Sequence, residues 1–226
     1  MLRVRPTMIT TDNERMAALF RTLGLLPAEG TAGETLYDAG GGRIALRRAG
    51  DGRNRIGFEA GDLAEFARRT RESGTTAELA EPDGGTAVHA KIVQVTAPGV
   101  AFTVHQGERA ARSGADPNLT VVGVWHTPEP RAAAKVLGDI GARPQPAGQD
   151  GWVDFVAKNG GLVSVRAGDH QRVDVGFEYT GELPSLRDRV LGAGFPAVLA
   201  SAGALLQVPL PSGEQMIISR PRCTRR

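Results

Sequence analysis

The chain has 226 residues, a formal net charge of +2, 41% hydrophobic and 23% charged residues. That is the composition of a globular protein, with room for one large domain or two of about 110 residues. The mild basic excess is almost all arginine, with lysine only at Lys91, Lys135 and Lys158. It is spread along the chain rather than gathered into a nucleic-acid-binding patch. A single cysteine, Cys223, excludes an internal disulfide and a cysteine-based zinc site. No apolar run approaches the ~20 residues that span a bilayer. The start, MLRVRPTMITT, lacks the apolar core of a signal peptide, so the expected location is the cytoplasm, with no membrane partner.

In chain order, residues 4–10 are β-prone, with Pro6 marking a strand start or an edge. Thr11 or Asp12 caps a helix over 14–23, where Met16, Leu19, Phe20 and Leu23 fall at helical spacing and Gly24 ends it. A weak strand between Leu26 and Thr31 follows. Strands over 35–39 and 43–48, either side of the turn Gly40-Gly41-Gly42, complete one β-α-β-β-β unit. The order recurs with a strand over 55–59 and a helix over 63–73, capped by Asp62 and closed by Gly74. Strands over 76–79, 89–96 and 101–105 follow, with turn chemistry at Glu81-Pro82-Asp83-Gly84-Gly85. Residues 108–117 carry charge, glycine and proline without periodicity and read as a linker. A third unit has a strand over 119–126, a helix opened by Pro128-Glu129-Pro130 and running to Ile140, and strands over 152–157 and 162–166 around Asn159-Gly160-Gly161. A fourth has a strand over 173–179, a helix over 183–191 and strands over 197–199, 204–208 and 215–219. Strands, not helix N-termini, follow the glycine turns, so these are hairpin turns rather than phosphate loops.

A repeat underlies this order. GGRIALRRAGDGRNRIGFE, from Gly41 to Glu59, recurs without a gap as GGLVSVRAGDHQRVDVGFE, from Gly160 to Glu178. Solenoid repeats have periods of roughly 20–50 residues; this much longer spacing indicates a duplicated domain. The halves are expected at 1–107 and 118–220, with a tail at 221–226.

The pattern is carried by the first helix of each half, 17–24 and 134–141, and by the entry to each second unit, RIGFEAGDL from Arg55 and DVGFE from Asp174. It resembles the vicinal oxygen chelate superfamily, which includes glyoxalase I, extradiol dioxygenases, fosfomycin-resistance enzymes and bleomycin-binding proteins. The resemblance implies an α+β fold of four βαβββ units in two glyoxalase-like domains, each with a curved mixed sheet half-enclosing a cavity. In the metal-dependent members, His and Glu on that sheet hold a divalent ion. The corresponding slots fall near Val4 and Val121, at Arg55 and Asp174, and at Ala45, Thr103, Ser164 and Ile217. Of these, only Asp174 has ligand chemistry, so no metal ligand set and no cofactor is expected.

Strand alternation assigns the cavity face. With Ile56 and Phe58 under the helices, Arg55, Gly57 and Glu59 face the cavity, joined by Arg47, Thr103 and His105. In the second half Asp174, Gly176 and Glu178 are joined by Ser164, Arg166, Gly123 and Trp125. Glu59 with Arg55 or Arg47 is either an acid–base site or a structural ion pair, with Glu178 and Arg166 as its counterpart. His105 is a candidate base or hydrogen-bond partner and Trp125 and Trp152 are candidate stacking platforms, whereas His89, His126 and His170 receive no role. The expected function is metal-independent binding of a small organic molecule, such as an antibiotic or aromatic metabolite, by a monomer or homodimer. The alternative is a lyase, isomerase or dioxygenase using a displaced metal site or a Glu/His acid–base pair. A third reading is a scaffold whose sheets serve an interface.

Overall fold

The computed structural model describes residues 2–30, 33–49, 52–81, 92–97, 100–107, 114–146 and 152–221. The expected turn at 82–85, His89, residues 108–113 of the linker, and Cys223 with the rest of the arginine-rich end lie outside the described residues. The first unit holds β1 (Leu2–Val4), β2 (Thr7–Thr10), α1 (Asn13–Leu23), β3 (Leu26–Ala28), β4 (Glu34–Asp38) and β5 (Arg43–Arg48). The second holds β6 (Gly57–Ala60), α2 (Leu63–Glu72), β7 (Thr76–Ala80), β8 (Ile92–Ala97) and β9 (Val100–Gln106). The third holds β10 (Leu119–Thr127), α3 (Pro130–Asp139), β11 (Arg143–Pro144), β12 (Val153–Val156) and β13 (Leu162–Ala167). The fourth holds β14 (Arg172–Tyr179), α4 (Leu183–Gly192), β15 (Val198–Ala200), β16 (Leu205–Pro209) and β17 (Gln215–Ser219). The fold is α+β, as expected.

Local chemistry sets the helix ends. Asp12, not Thr11, caps α1, its carboxylate accepting the Arg15 N–H at 3.0 Å, and Asp62 does the same for Glu65 at 3.0 Å. Such caps contribute about 1 kcal/mol each. Gly24 closes α1 at φ 96°, a left-handed conformation that favours glycine.

The expected first strand, 4–10, is two strands. In the second half β10 runs unbroken, pairing in parallel with β13 on one edge and antiparallel with β14 on the other. In the first half the strand switches partners at Arg5-Pro6: β1 pairs antiparallel with β6, and β2 in parallel with β5. Pro6 has no N–H to give a ladder, although its carbonyl accepts the Ala45 N–H at 3.0 Å. The first half therefore holds two sheets, β1-β6-β9-β8-β7 and β2-β5-β4-β3, where the second has one of eight strands, β11-β12-β13-β10-β14-β17-β16-β15.

Sheets form within halves, but the hydrophobic cores form across them. One core joins α1 of the first unit (Met16, Leu19, Phe20, Leu23) to α4 of the fourth (Leu183, Leu186, Val190) and to Phe177 of β14. The other joins Phe58, Leu63 and Phe102 of the second unit to Trp125, Val136, Leu137 and Phe155 of the third. Phe20 meets Phe177 edge-on at 6.5 Å, and Phe102 meets Trp125 likewise at 6.2 Å. Truncating a ring of this kind costs about 3–5 kcal/mol, so neither half is expected to keep its stability without the other.

The repeated glycines sit where the halves meet. Gly41 spans the junction through its backbone, accepting from the Val121 N–H at 2.8 Å and donating to the Leu119 carbonyl at 3.0 Å, and Val4 N–H donates to the Gly160 carbonyl at 3.0 Å. A Cβ on Gly161, which has φ 90°, would lie 2.5 Å from the Cβ of Val4, and one on Gly160 would lie 2.7 Å from the backbone nitrogen of Gly42. The hairpin turns are thus also the contact between the duplicated parts, which explains why both copies need glycine there.

Candidate functional site

The helices pack on one side of the sheets, and the candidate residues divide over the other side and over a cleft between the halves. In the first half the helix-free face is closed by charge. Alternation turns Leu2 and Val4 into the core and Arg3 and Arg5 to the opposite face, and Arg3, Arg5, Asp38, Arg43 and Glu59 are all buried there. Arg3 donates through Nε to Glu59 Oε2 at 2.8 Å. Arg43 reaches Glu59 Oε1 at 3.0 Å and grips Asp38 through Nε at 2.6 Å and Nη2 at 3.1 Å. Arg5 donates to Glu34 at 2.6 Å and lies 3.5 Å from Glu59 Oε1. Burial works against the Arg43 charge, but the hydrogen bonds and charges of Asp38 and Glu59 outweigh it and hold its pKa above the ordinary value.

Glu59 is therefore an ion-pair residue, but its partners are Arg3, Arg5 and Arg43 rather than Arg55 or Arg47. Register explains the correction. Glu59 lies level with Arg3 and Arg47 level with Ile9, six positions further along the β1–β2 segment, so roughly 20 Å separates them along the strand. Arg47 is exposed at the far end of β5. The supposed counterpart fails in the same way: Glu178 is level with Thr120 and Arg166 with His126, again six positions apart on β10. His105, beside Glu59 in register, and Thr103, beside Gly57, do face this side. Burial, with the Arg5 charge second, pushes His105 down to about 3, so it is a neutral imidazole at physiological pH.

The second half presents the same face half-open. Val122, Val124 and His126 alternate on β10, level with Leu162, Ser164 and Arg166 of β13 and with Gly176, Asp174 and Arg172 of β14. His126 Nε2 is 2.9 Å from Asp174 Oδ2, and Arg172 donates to the same oxygen at 3.0 Å. The guanidinium of Arg166 lies 3.6 Å over the ring of Trp152, a cation–π stack. Ser164 is buried, and its hydroxyl has no hydrogen-bond partner among the described residues. His126, which receives no role in the sequence reading, stands on this face near Trp152, an expected stacking candidate. The period-two alternation that places Val121 in the core puts His126 on the side of Asp174, and that signal was available in the sequence.

The same alternation corrects Gly123 and Trp125. Both face the core side: Gly123 is backed by Ile56 across the junction, its Cβ position 2.7 Å from Ile56 Cδ1, and Trp125 is only 3% exposed. Trp125 and Arg55 meet instead at a cleft between the halves, with Arg172 at its rim.

No protein-family model matches this chain, and no curated protein matches it. Solved structures do. Catechol 2,3-dioxygenase superposes with a TM-score of 0.63 at 14% identity, over 99% of this chain and 89% of that one. A Mn(II)-bound glyoxalase from Novosphingobium aromaticivorans gives 0.61 at 16% identity, over 96% and 80%. The 2,2',3-trihydroxybiphenyl 1,2-dioxygenase from Sphingomonas wittichii gives 0.61 at 13% identity, over 96% and 89%. The chain has the vicinal oxygen chelate fold, shared with extradiol dioxygenases and glyoxalases.

A divalent ion of the kind in that glyoxalase needs several converging imidazole or carboxylate donors. In the first half the carboxylates Glu34, Asp38 and Glu59 are engaged by guanidiniums, which cannot ligate a cation. In the second, His126 and Asp174 bond to each other, and Glu178 is remote in register. Among the described residues no three His, Cys, Asp or Glu side chains converge, and the residues do not fit such an ion. No described helix is long and apolar enough to cross a membrane.

Proposed function

We propose that this chain binds a small planar organic anion on the helix-free face of its second half, without a divalent ion. One observation carries the reading. Polar side chains from β10, β13 and β14 share one face, partly exposed at His126, Arg166 and Asp174, where Arg166 stacks on Trp152 near the His126–Asp174 pair. A small-molecule site needs an apolar floor and a few placed polar groups; Val122, Val124 and Ile217 supply the floor, and Ser164, His126 and Arg166 the groups. The fold's solved relatives named for catechol and trihydroxybiphenyl favour an aromatic ligand. A thermal-shift screen of aryl carboxylates and phenols tests the reading: a subset of hits that disappears in Arg166→Ala supports it, and a set of hits wholly unchanged by that substitution overturns it. Metal analysis of the purified chain tests the rest, since stoichiometric Mn, Fe, Ni or Zn contradicts ion-free binding.

The His126–Asp174 contact at 2.9 Å favours a second reading, turnover by an acid–base pair. Conversion of a bound ligand by the wild-type chain but not by His126→Gln would select it over simple binding.

A further inference from the structure

The cleft between the halves has about 150 Å³ of room and lies at the ends of β10 and β14, against the segment before β6. A water occupies about 30 Å³ of liquid volume, so the space suits one aromatic ring with a carboxylate. Its lining includes Arg53, Arg55, Ile56, Trp125, Gln171 and Arg172.

Its electrostatics are one-sided. Arg53, Arg55 and Arg172 line it with no carboxylate among the lining residues, and Arg172 also reaches Asp174 of the neighbouring sheet face at 3.0 Å. Arg53 and Arg55 lie exposed at the mouth, their guanidiniums engaging no described carboxylate. Like charges gathered at one mouth repel and focus a positive field there, which an anion relieves. The interior is built differently. Ile56 forms an apolar wall, 5% exposed, and the Trp125 indole is held at its edge, its N–H donating to Gln171 Oε1 at 2.7 Å. Gln171 is fixed in turn by donating to the Thr127 hydroxyl at 2.8 Å. Arg53 and Arg55 come from the first half, Trp125, Gln171 and Arg172 from the second, so an occupant touches both.

We infer that this cleft is a second binding site, distinct from the sheet face, for an aryl carboxylate. The carboxylate would pair with Arg53, Arg55 and Arg172, and the ring would rest on Ile56 and the Trp125 edge. The probe is benzoate, and the reporter is Trp125 emission in the full chain carrying Trp152→Phe, which leaves Trp125 as the single tryptophan. A saturable emission change is expected at low ionic strength. It should weaken at least about 10-fold when Arg53→Ala and Arg55→Ala are combined, the loss of charge-assisted hydrogen bonds. Arg166→Ala should leave it in place, because that residue belongs to the sheet face. The thermal midpoint should stay unchanged in both variants, excluding loss of fold as the cause. No saturable change, equal affinity in the double variant, or equal loss in Arg166→Ala overturns the inference.

Discussion

The two halves put the same side of the same sheet to different uses. In the first, three guanidiniums and three carboxylates fill the helix-free face, and all but Glu34 of that set are buried. In the second, the corresponding face keeps His126, Arg166 and Asp174 partly exposed. The contrast begins with the opening strands. Arg3 and Arg5 stand on the first half's face, whereas Thr120, Val122 and Val124 stand on the second's. A buried cation needs a compensating anion, and once the anions are recruited the face has no capacity left for a ligand. A face of valines flanked by half-open polar groups retains that capacity. The two halves thus differ at one matched surface, ion pairs filling the first and partly exposed polar groups remaining on the second.

The comparison can be broken most severely at its charged centre. Glu59→Ala leaves Arg3 and Arg43 buried without their shared partner and should cost about 3–5 kcal/mol. Glu178→Ala, at the repeat-matched and half-exposed position, should cost no more than about 1 kcal/mol. Urea denaturation of both variants measures the pair, and equal losses would dissolve the distinction between filled and open faces. Next in size is the junction. Gly161→Ala forces a side chain into a left-handed position and against Val4, at a cost of about 2–3 kcal/mol in the same assay. A smaller effect tests the filled face through pH. His105 is held neutral with a depressed pKa of about 3, so the unfolded chain takes up its proton first as pH falls. The stability from keeping His105 neutral is complete above about pH 6.5 and is lost as pH drops toward 3, with a slope approaching 1.4 kcal/mol per unit. His105→Gln should flatten the wild-type decline between pH 7 and 5; identical profiles would contradict a buried neutral imidazole. The smallest effect on stability belongs to Trp152→Ala, which should leave the unfolding midpoint within about 1 kcal/mol of wild type. It should nevertheless abolish the same aryl-carboxylate hits that Arg166→Ala abolishes, and retention of those hits would remove Trp152 from the ligand face.

The fold was legible because it rests on local signals: helical spacing at Met16, Leu19, Phe20 and Leu23, caps at Asp12 and Asp62, and glycine turns repeated as a block. The division of tasks was not legible. Arg3 and Arg5 alternate with Leu2 and Val4, a pattern that equally describes an exposed strand face. What buries them is the arrival of Asp38, Arg43 and Glu59 from strands far along the chain. The expected pairings of Glu59 with Arg47 and of Glu178 with Arg166 fail because matching residue types in a repeat say nothing of register, and six positions along a strand put a partner out of reach. Trp125 lies on the opposite face from the expected one, and alternation is sufficient to place it: it is opposite Val173 and two residues from Gly123, which is opposite Val175, both on the core-facing set. His126 was passed over as isolated, yet it lies one strand from Asp174 and two positions from the residue opposite it. Cross-half packing had no sequence signal at all, since the amphipathic face of α1 does not say that α4 is what covers it.

Hydrogen exchange along the whole chain, with and without the strongest hit that Arg166→Ala abolishes, tests the central claim most directly. Ligand-dependent protection is expected in β12, β13 and β14, around Trp152, Ser164, Arg166 and Asp174, with β1, β5 and β6 unchanged. Protection confined to the strands that carry Arg3, Arg43 and Glu59 would contradict it.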